Sequence, residues 1–206
     1  MTLLILIRHG QCVTNKYGFL SGDPDRYELT KSGLVQAQAT AEELSKTLKV
    51  SKIYSSPVFR ARQTAGIIAK KLNKEVIVDD RLKERLWGAM EGKPSRQGAW
   101  RFHMTKDESA TVETWQSITA RMVSFAKDVS KEDGVIIGVS HVDPIASFAC
   151  DLFKIKDDEL SVYCFVPPFA SMSLFGYKDH TYKVLATGMS ILPKQVMDMA
   201  SPYLKK

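Results

Sequence analysis

The spacing of hydrophobic residues predicts alternating strands and helices in the first part of the chain. The apolar run Leu3–Ile7 is typical of a buried strand. Apolar residues at steps of three and four predict a helix from about Ser32 to Lys49, with Leu34, Ala37, Ala41, Leu44 and Leu48 on one face. Lys52–Ser55 predicts a short strand, and Glu75–Val78 predicts a third one. The segment between them predicts a second helix, whose apolar side carries Ala61, Ala65, Ile68 and Leu72.

Residues 87–110 interrupt this alternation. They contain Gly, Pro, Ser and several large side chains without a clear period, so we expect an excursion from the core that forms a small cap. Periodicity returns with a helical face over Trp115–Val129 and a strongly apolar strand at Gly134–Val139. Pro144 suits the first turn of the next helix, which we expect to run to about Phe153.

Two more strands, Ser171–Tyr177 and Tyr182–Ala186, are predicted in the last part of the sequence. Strands that alternate with helices predict an α/β fold, a three-layer sandwich in which helices flank a mostly parallel central sheet. No repeat and no convincing linker divides the sequence. We therefore expect a single domain over residues 1–206, from which the cap is an excursion.

Composition and cysteine usage narrow the functional classes. Hydrophobic residues make up 44% of the 206 positions and charged residues 25%, which is ordinary for a globular protein and argues against disorder or a coiled coil. The first apolar run is too short to span a bilayer and has no basic flank, so we expect neither a membrane segment nor a signal peptide. Cys12, Cys150 and Cys164 form no CxxC pair, which argues against a disulfide framework or a zinc knuckle and suits a reducing cytoplasm.

The net charge of +6 permits anionic partners such as nucleic acids, phosphorylated metabolites or membrane surfaces. Basic residues are spread along the chain, with only short pairs such as Lys70-Lys71. A solvated surface explains this distribution better than a nucleic-acid interface, because no nucleic-acid motif accompanies it. We therefore expect neither nucleic acid nor membrane as a partner.

Polar residues follow three predicted strands directly. His9 and His141 each come after an apolar strand, and ligands of open α/β sheets bind beyond the carboxyl ends of the strands. The two histidines are 132 positions apart (141 − 9), so only the fold can join them. The alternative is that each one caps a strand end and bonds to backbone.

The third strand end opens a helix with two arginines near its start. A helix N-terminus offers free N–H groups and a positive dipole end, which attract anions. Arg60 and Arg62 are two positions apart and face different directions, so we expect at most one to reach the ligand of His9. Because guanidinium groups match phosphate oxygens bidentately, this combination favours a phosphate site.

These residues resemble the signature of the histidine phosphatase superfamily, which includes cofactor-dependent phosphoglycerate mutases. A lone RHG tripeptide would be weak, but five blocks match in family order and cover most of residues 3–150. The blocks are Arg8-His9-Gly10 with Asn15, Leu29-Thr30-x-x-Gly33-x-x-Gln36-Ala37, Ser55-Ser56-Pro57-x-x-Arg60-Ala61-x-Gln63-Thr64-Ala65, Leu82-x-Glu84-x-x-Trp87-Gly88-x-x-Glu91-Gly92, and Ser140-His141.

The resemblance implies that His9 is a nucleophile that forms a phosphohistidine. Its other ring nitrogen would bond to the carbonyl of Gly10, which fixes the tautomer. Arg8, Arg60 and His141 would clamp the transferring oxygens, and a protonated His141 would add positive charge there. Such phosphoryl transfer needs no metal in principle, so we expect none.

The resemblance also implies a proton donor and further substrate contacts. Glu84 would protonate the leaving oxygen and later activate water, which requires a raised pKa. Read alone, Glu84 would be an exposed carboxylate in a charged string. Asn15 would donate another hydrogen bond, and Gly10 and Val142 would complete the substrate-binding set.

Cys12 and the pair Val142-Asp143 depart from the family pattern. Val142-Asp143 stands where family members often have a glycine and then a small or amide residue. Cys12 stands where threonine or serine is usual, which leaves a catalytic thiol as a minor alternative. Asp143 would repel a phosphate, so we expect its side chain to point away or to contact another part of the substrate. In a more distant acid-phosphatase branch the acid is an aspartate directly after the second histidine. Asp143 comes one position later, so Glu84 is kept as the acid. His103 and His180 have no motif around them, and we expect both at the surface.

The family splits into phosphatases and mutases. The glycolytic mutases it includes have a long insertion between the acid and the second histidine, whereas here that interval is 57 positions (141 − 84). Their second-histidine block also usually begins with alanine, where this chain has Ser140. Both points favour a phosphatase without a cofactor. The alternative is a phosphoglycerate mutase that uses 2,3-bisphosphoglycerate.

We expect a small phosphorylated substrate, whose identity the sequence does not rank. Cap residues would contact it or pack the cap itself, and these are Lys93, Arg96, Trp100, Arg101, Phe102, His103 and Lys106. Tyr17, Phe19, Arg26 and Tyr27 are candidates for the opposite wall. A non-catalytic binding module and a nucleic-acid-binding protein are the hypotheses from other classes. The resemblance also allows a homodimer, for which no interface can be read.

Overall fold

The computed structural model describes residues 1–95, 104–155 and 165–204, which contain a central sheet between two layers of helices. The strands are β1 (Thr2–Arg8), β2 (Val50–Ser55), β3 (Val76–Val78), β4 (Gly134–Ser140), β5 (Met172–Lys178) and β6 (Thr181–Met189). The helices are α1 (Val13–Tyr17), α2 (Lys31–Thr47), α3 (Phe59–Leu72), α4 (Lys106–Thr111), α5 (Trp115–Val129), α6 (Val142–Phe153) and α7 (Lys194–Ala200). Short 3-10 turns lie at Asp80–Leu82, Gly88–Met90 and Ser201–Tyr203.

The sheet has six strands in the order β3-β2-β4-β1-β5-β6. The first four in that order are parallel to one another, and β5 runs antiparallel to both β1 and β6. The predicted mostly parallel sheet is therefore confirmed. In the register between β1 and β4, Arg8 lies opposite Ser140, so the residues that follow both strands leave the sheet at the same edge.

Side chains of β1 alternate between the two faces of the sheet, and each face has its own core. Leu3, Ile5 and Ile7 pack with residues of α2, α3 and α7. Leu4 and Leu6 pack with residues of α5 and α6 on the other face. Complete burial of such a side chain stabilises the fold by about 1.5–3 kcal/mol. The two cores explain the three-layer arrangement, in which helices cover both faces of the sheet.

The first turn of α2 differs from the predicted apolar face. Leu34 is 39% exposed, whereas Gly33 is buried against the chain after β1. A Cβ at Gly33 would lie 1.9 Å from the carbonyl oxygen of Gln11, so only glycine permits this contact. Because Gly33 takes the inward position, its neighbour Leu34 is turned toward solvent.

The predicted excursion has a small core of its own. Trp87 and Met90 are buried and pack with Leu20 and Val112, apart from the two main cores. Residues 96–103, the middle of the expected cap, lie outside the described residues. The helix α7 has no counterpart in the predicted elements, and α6 begins at Val142, before the proline. Within the described residues, no helix is both long and apolar enough to cross a membrane.

Candidate active site

The fold brings the two predicted histidines together. His9 follows β1 and donates its backbone N–H to the carbonyl of Ser140, 3.0 Å away, at the end of β4. His141 is the N-cap residue of α6. The two rings are buried with their centroids 5.0 Å apart and an interplanar angle of 61°. The two histidines that follow separate strands are therefore adjacent in the fold, as one shared site would require.

The contacts of His9 define which of its ring nitrogens carries the proton and which carries the lone pair. Nδ1 lies 2.7 Å from the carbonyl oxygen of Gly10, which can only accept, so Nδ1 carries the proton. Nε2 lies 3.1 Å from Nε of Arg60, which can only donate, so Nε2 holds a lone pair. Burial, reinforced by the positive charges of Arg60 and Arg8, lowers the pKa of His9 well below its usual value. The ring is therefore neutral, with its nucleophilic nitrogen at the arginines.

Arg8 and Arg60 each donate a hydrogen bond to a backbone carbonyl, and each has another buried N–H group without a partner among the described residues. Arg60 donates from Nη2 to the carbonyl of Ser21 at 2.9 Å. Arg8 donates from Nη1 to the carbonyl of Pro167 at 2.8 Å and lies 4.0 Å from the ring centroid of Phe169. Nη1 of Arg60 and Nε of Arg8 have no hydrogen-bond partner among the described residues. Buried donors of this kind are costly unless a ligand accepts from them, and an anion fits that need.

Arg62 takes a different direction from Arg60, as the two-residue spacing predicts. Its side chain is 43% exposed and lies 3.4 Å from the carboxylate of Asp25. This separation leaves Arg60 as the arginine of α3 that reaches His9. Neither Ser21 nor Phe169 was identified from the sequence, because the contact of a backbone carbonyl or a ring with an arginine leaves no periodic pattern.

His141 lies between a hydroxyl group and a carboxyl group. Its Nε2 is 2.8 Å from Oγ of Ser56, and its Nδ1 is 3.9 Å from Oε2 of Glu84. Burial, with the charge of Arg60 adding to it, lowers the pKa of His141 well below its usual value. The ring is therefore neutral before substrate binds. A phosphate dianion in the site would favour its protonated form.

Glu84 is buried, unlike the exposed carboxylate that its charged sequence surroundings suggest. Oε1 accepts a hydrogen bond from the backbone N–H of Arg85 at 2.9 Å. Burial raises the pKa of Glu84 to about 7, and the charge of Asp143 acts in the same direction, against Arg60 and Arg8. A carboxyl group with that pKa has both protonation states available near neutral pH, as an acid that later acts as a base requires.

Asp143 belongs to the interior beside this site. It lies in the first turn of α6 and is completely buried. Its charge raises the pKa of Glu84 and opposes the lowering of the pKa of Arg8. Burial lowers the pKa of Arg8 to about 10, so the guanidinium remains charged at neutral pH. The sequence placed Asp143 near the site but gave no sign of its influence on the acid.

Residues 4–189 match the histidine phosphatase superfamily, branch 1. The chain belongs to this superfamily. A 2,3-bisphosphoglycerate-dependent phosphoglycerate mutase of Thermoplasma acidophilum is 35% identical over 77% of this chain and 80% of its own length. Phosphoserine phosphatase 1 of Hydrogenobacter thermophilus is 33% identical over 75% of this chain and 78% of its own length.

Solved structures of the superfamily have the same fold. A mutant phosphoserine phosphatase of Entamoeba histolytica, crystallised with phosphoserine, aligns with a TM-score of 0.76 and 26% identity over 92% of this chain and 98% of its own. A mycobacterial glucosyl-3-phosphoglycerate phosphatase aligns with a TM-score of 0.77 and 22% identity over 91% of this chain and 99% of its own. The latter likeness concerns the fold alone. The relatives thus include both phosphatases and a mutase.

The loop after the superfamily histidine is ordered by its own side chains. Oδ1 of Asn15 accepts hydrogen bonds from the backbone N–H of Cys12 at 3.2 Å and from its thiol at 3.0 Å. The Oδ1 acceptor of Asn15 is thus used within the loop, and its amide N–H groups are its side-chain donors. Cys12 is completely buried, with Sγ also 3.2 Å from Oγ1 of Thr14. The thiol of Cys12 is buried and hydrogen-bonded within the loop, which disfavours its use as a catalytic nucleophile.

Among the described residues, the structure gives burial or partners for the other predicted contact residues but no contact with His9 or Glu84. Val142 is the first residue of α6 and is half-buried. Phe19 and Tyr27 stack edge to face with ring centroids 5.0 Å apart, whereas Tyr17 is 67% exposed. Lys93 forms an ion pair with Glu108. His180 is exposed in the turn before β6, as expected, and Arg96, Trp100, Arg101, Phe102, His103 and Cys164 lie outside the described residues.

The described part of the chain contains no group of three or more His, Cys, Asp or Glu residues arranged to hold a metal ion. Arginines supply positive charge next to His9. Arg60 is buried against His9, and Arg8, which precedes His9 in the chain, is half-buried. Both guanidinium groups can contact phosphate oxygens bidentately.

Proposed function

We propose that this protein is a metal-independent phosphomonoester hydrolase that works through a phosphohistidine on His9, with Glu84 as the proton donor. The observation that carries the proposal is the orientation of His9. Its Nδ1 proton is held by the carbonyl of Gly10, and its Nε2 faces Arg60, beside buried donors that a phosphate would satisfy. This is a prepared nucleophile at an anion site.

In the first step, the lone pair on Nε2 of His9 attacks phosphorus and forms a P–N bond. The ester P–O bond breaks, and its electron pair leaves with the oxygen, which takes the proton of Glu84. Arg8 and Arg60 stabilise the charge on the non-bridging oxygens, with Asn15 and His141 as further donors. Because the pKa of Glu84 is raised, the carboxyl holds a proton to give at neutral pH.

In the second step, water attacks the phosphohistidine. The Glu84 carboxylate takes a proton from that water, the P–N bond breaks, and its electron pair returns to Nε2. Inorganic phosphate leaves, and both residues regain their starting states. One carboxyl therefore serves as acid and then as base, which a pKa near the working pH allows.

Small phosphorylated hydroxy acids are the substrate class that the relatives support. Phosphoserine and phosphoglycerate occur in the names of two relatives that each cover at least 75% of this chain. Both compounds carry a carboxylate beside the phosphate ester. We therefore place them first among substrates to be tested.

A phosphoglycerate mutase is the second candidate, because the relative from Thermoplasma acidophilum is 35% identical. In a mutase, a hydroxyl of the retained intermediate would replace water in the second step, and 2,3-bisphosphoglycerate would supply the first phosphoryl group. The short interval of 57 positions (141 − 84) between Glu84 and His141 favours water as the acceptor.

A phosphorus NMR time course separates the two candidates. Phosphoserine, and separately 3-phosphoglycerate with a trace of 2,3-bisphosphoglycerate, are incubated with the protein in the presence of EDTA. We expect inorganic phosphate to accumulate at a rate that the chelator does not change. Faster appearance of 2-phosphoglycerate than of phosphate would establish the mutase, and loss of turnover in EDTA would contradict the metal-independent mechanism.

A further inference from the structure

The segment that carries Glu84 lies outside any helix or strand. Residues 83–87 connect the 3-10 turns Asp80–Leu82 and Gly88–Met90. A proton donor must stay within hydrogen-bond reach of the leaving oxygen, so its backbone has to be held. No strand ladder or helix performs that task at residues 83–87.

One guanidinium group of α5 holds this segment. Nη1 of Arg121 donates to the carbonyl oxygens of Arg81 and Lys83, each at 2.7 Å. Nη2 of Arg121 donates to the carbonyl of Glu84 at 3.3 Å. The planar guanidinium presents several donors in a fixed geometry, so a single side chain fixes two carbonyls of the segment, those of Lys83 and Glu84, and the carbonyl of Arg81 just before it.

Glu113 in turn fixes Arg121. Its Oε1 accepts from Nε of Arg121 at 2.9 Å, and its Oε2 accepts from Nη2 at 3.0 Å. The side chains are only 16% and 9% exposed, so water screens this bidentate pair weakly. Burial opposes the ionisation of Glu113, but the bonds and charge of Arg121 hold its pKa below the usual value.

Glu113 also holds the segment on its other side. Its carbonyl accepts from Nε of Arg85 at 2.8 Å, and its Oε2 accepts from the backbone N–H of Leu86 at 3.2 Å. The guanidinium of Arg85 lies 4.3 Å from the ring centroid of Trp115. The residues before and after Glu84 are thus tied to the middle of α5 and to the residue that precedes its N-cap.

We infer that Arg121, paired with Glu113, is a positioning residue that sets the location of the Glu84 carboxyl for proton transfer. The inference rests on the proposed function, since it needs Glu84 to be the acid. Arg121 reaches Glu84 through its backbone carbonyl and makes its charged contacts with Glu113. The charge of Arg121 also acts on His141, where it adds to the larger effects of burial and Arg60. Its loss should therefore affect the step that uses the acid more than the attack on phosphorus.

The test compares two classes of leaving group. The variants are Arg121→Ala, Arg121→Lys, which keeps the charge but loses the fork, and Glu113→Gln. For each, kcat/KM is measured with an alkyl ester such as phosphoserine and with a nitrophenyl phosphate, because kcat/KM reports the step in which the leaving group departs. Arg81→Ala is the matched control, since its side chain pairs with Asp79 and Asp128 and does not contact Glu84.

We expect Arg121→Ala to lower kcat/KM for the alkyl ester by about 10–100-fold, within the range that general acid catalysis contributes. The nitrophenyl ester, whose leaving group needs no proton, should change by less than about threefold. Arg121→Lys and Glu113→Gln should show the same selectivity with smaller losses, and Arg81→Ala should show none. In a Glu84→Gln background, Arg121→Ala should cause no further selective loss, because the two residues act in one step.

Equal losses for both esters, or losses that add to those of Glu84→Gln, would overturn the inference and leave Arg121 with a purely structural role. If Arg121→Ala does not fold, thermal unfolding will show it, and the two milder variants then carry the same comparison. The acid assignment is tested separately. If Glu84→Gln alone fails to discriminate between the esters, the proposed function is wrong at that residue, whatever Arg121 does.

Discussion

His9 and Glu84 act together in the proposed mechanism, but different parts of the fold hold them. The position of His9 follows from the register of two parallel strands and from a backbone bond to Ser140. Glu84 lies in an irregular segment that side chains from α5 and its N-terminal flank hold in place. The hydrogen bonds of the sheet fix the position of a nucleophile at a strand end, whereas an acid on a loop needs other residues to hold its backbone.

The two residues also differ in how burial acts on them. Burial disfavours the charged form of any group, so it lowers the pKa of His9 and raises that of Glu84. The charges of Arg60 and Arg8 strengthen the first effect and oppose the second. One physical cause therefore leaves the His9 ring neutral and lets the Glu84 carboxyl carry a proton near neutral pH, before any substrate is bound.

Removal of the nucleophile should produce the largest effect. His9→Ala removes the atom that attacks phosphorus, so we expect turnover to fall by about 10⁴-fold or more. Acid-labile phosphoprotein, trapped by rapid quenching with a phosphorus-labelled ester, should disappear with it. Circular dichroism provides the control for folding. A folded variant that still accumulates labelled protein would show that another residue takes the phosphoryl group.

Removal of an arginine tests whether activity depends on the specific contact of Arg60 with His9 or on the overall positive charge of the protein. Arg60→Ala deletes the contact with Nε2 of His9 and an unused buried donor, so we expect kcat/KM to fall by about 10²–10³-fold. Arg62→Ala is the matched control, because it deletes the same charge from an exposed position on the same helix. Its kcat/KM should change by less than about twofold, since exposed pairs contribute little. Comparable losses in the two variants would contradict the assignment of Arg60.

The sequence predicted the surroundings of His9 better than those of Glu84, because His9 follows a regular strand and Glu84 lies in an irregular segment. Hydrophobic runs mark strands, and the polar residues after them must meet at one edge of a parallel sheet, so His9 and His141 could be paired from sequence. The burial of Glu84 could not be read from its charged neighbours. Its support by Arg121 could not be read either, because hydrogen bonds to backbone carbonyls impose no pattern on the residues that accept them.

Local packing explains the remaining differences. Leu34 shares the predicted apolar spacing of α2, but the close contact between Gly33 and Gln11 sets the rotation of the first turn. From the sequence we expect the side chain of Asp143 to point away from phosphate or to contact another part of the substrate. It is completely buried, and its charge acts on the pKa values of Arg8 and Glu84. Such outcomes depend on which neighbours the fold supplies, and spacing along one element does not contain that information.

The pH dependence should give the smallest effect and separates the two residues most directly. Glu84 must be protonated to assist departure of an alkoxide, so kcat/KM for phosphoserine should decline above its pKa of about 7. The decline approaches about tenfold per pH unit. Since the pKa of His9 is lowered, its protonation should impair attack only well below the usual histidine range.

The nitrophenyl ester and Glu84→Gln serve as controls for that alkaline decline. The aryl ester leaves without a proton, so its kcat/KM should stay level between pH 7 and pH 8.5. Glu84→Gln should show no alkaline limb with either ester, because its amide does not titrate. A shared decline for both esters would assign the limb to substrate binding or to another group. A decline for phosphoserine alone, absent in Glu84→Gln, requires the acid to lie on the leaving-group side of phosphorus, opposite the nitrogen that attacks it.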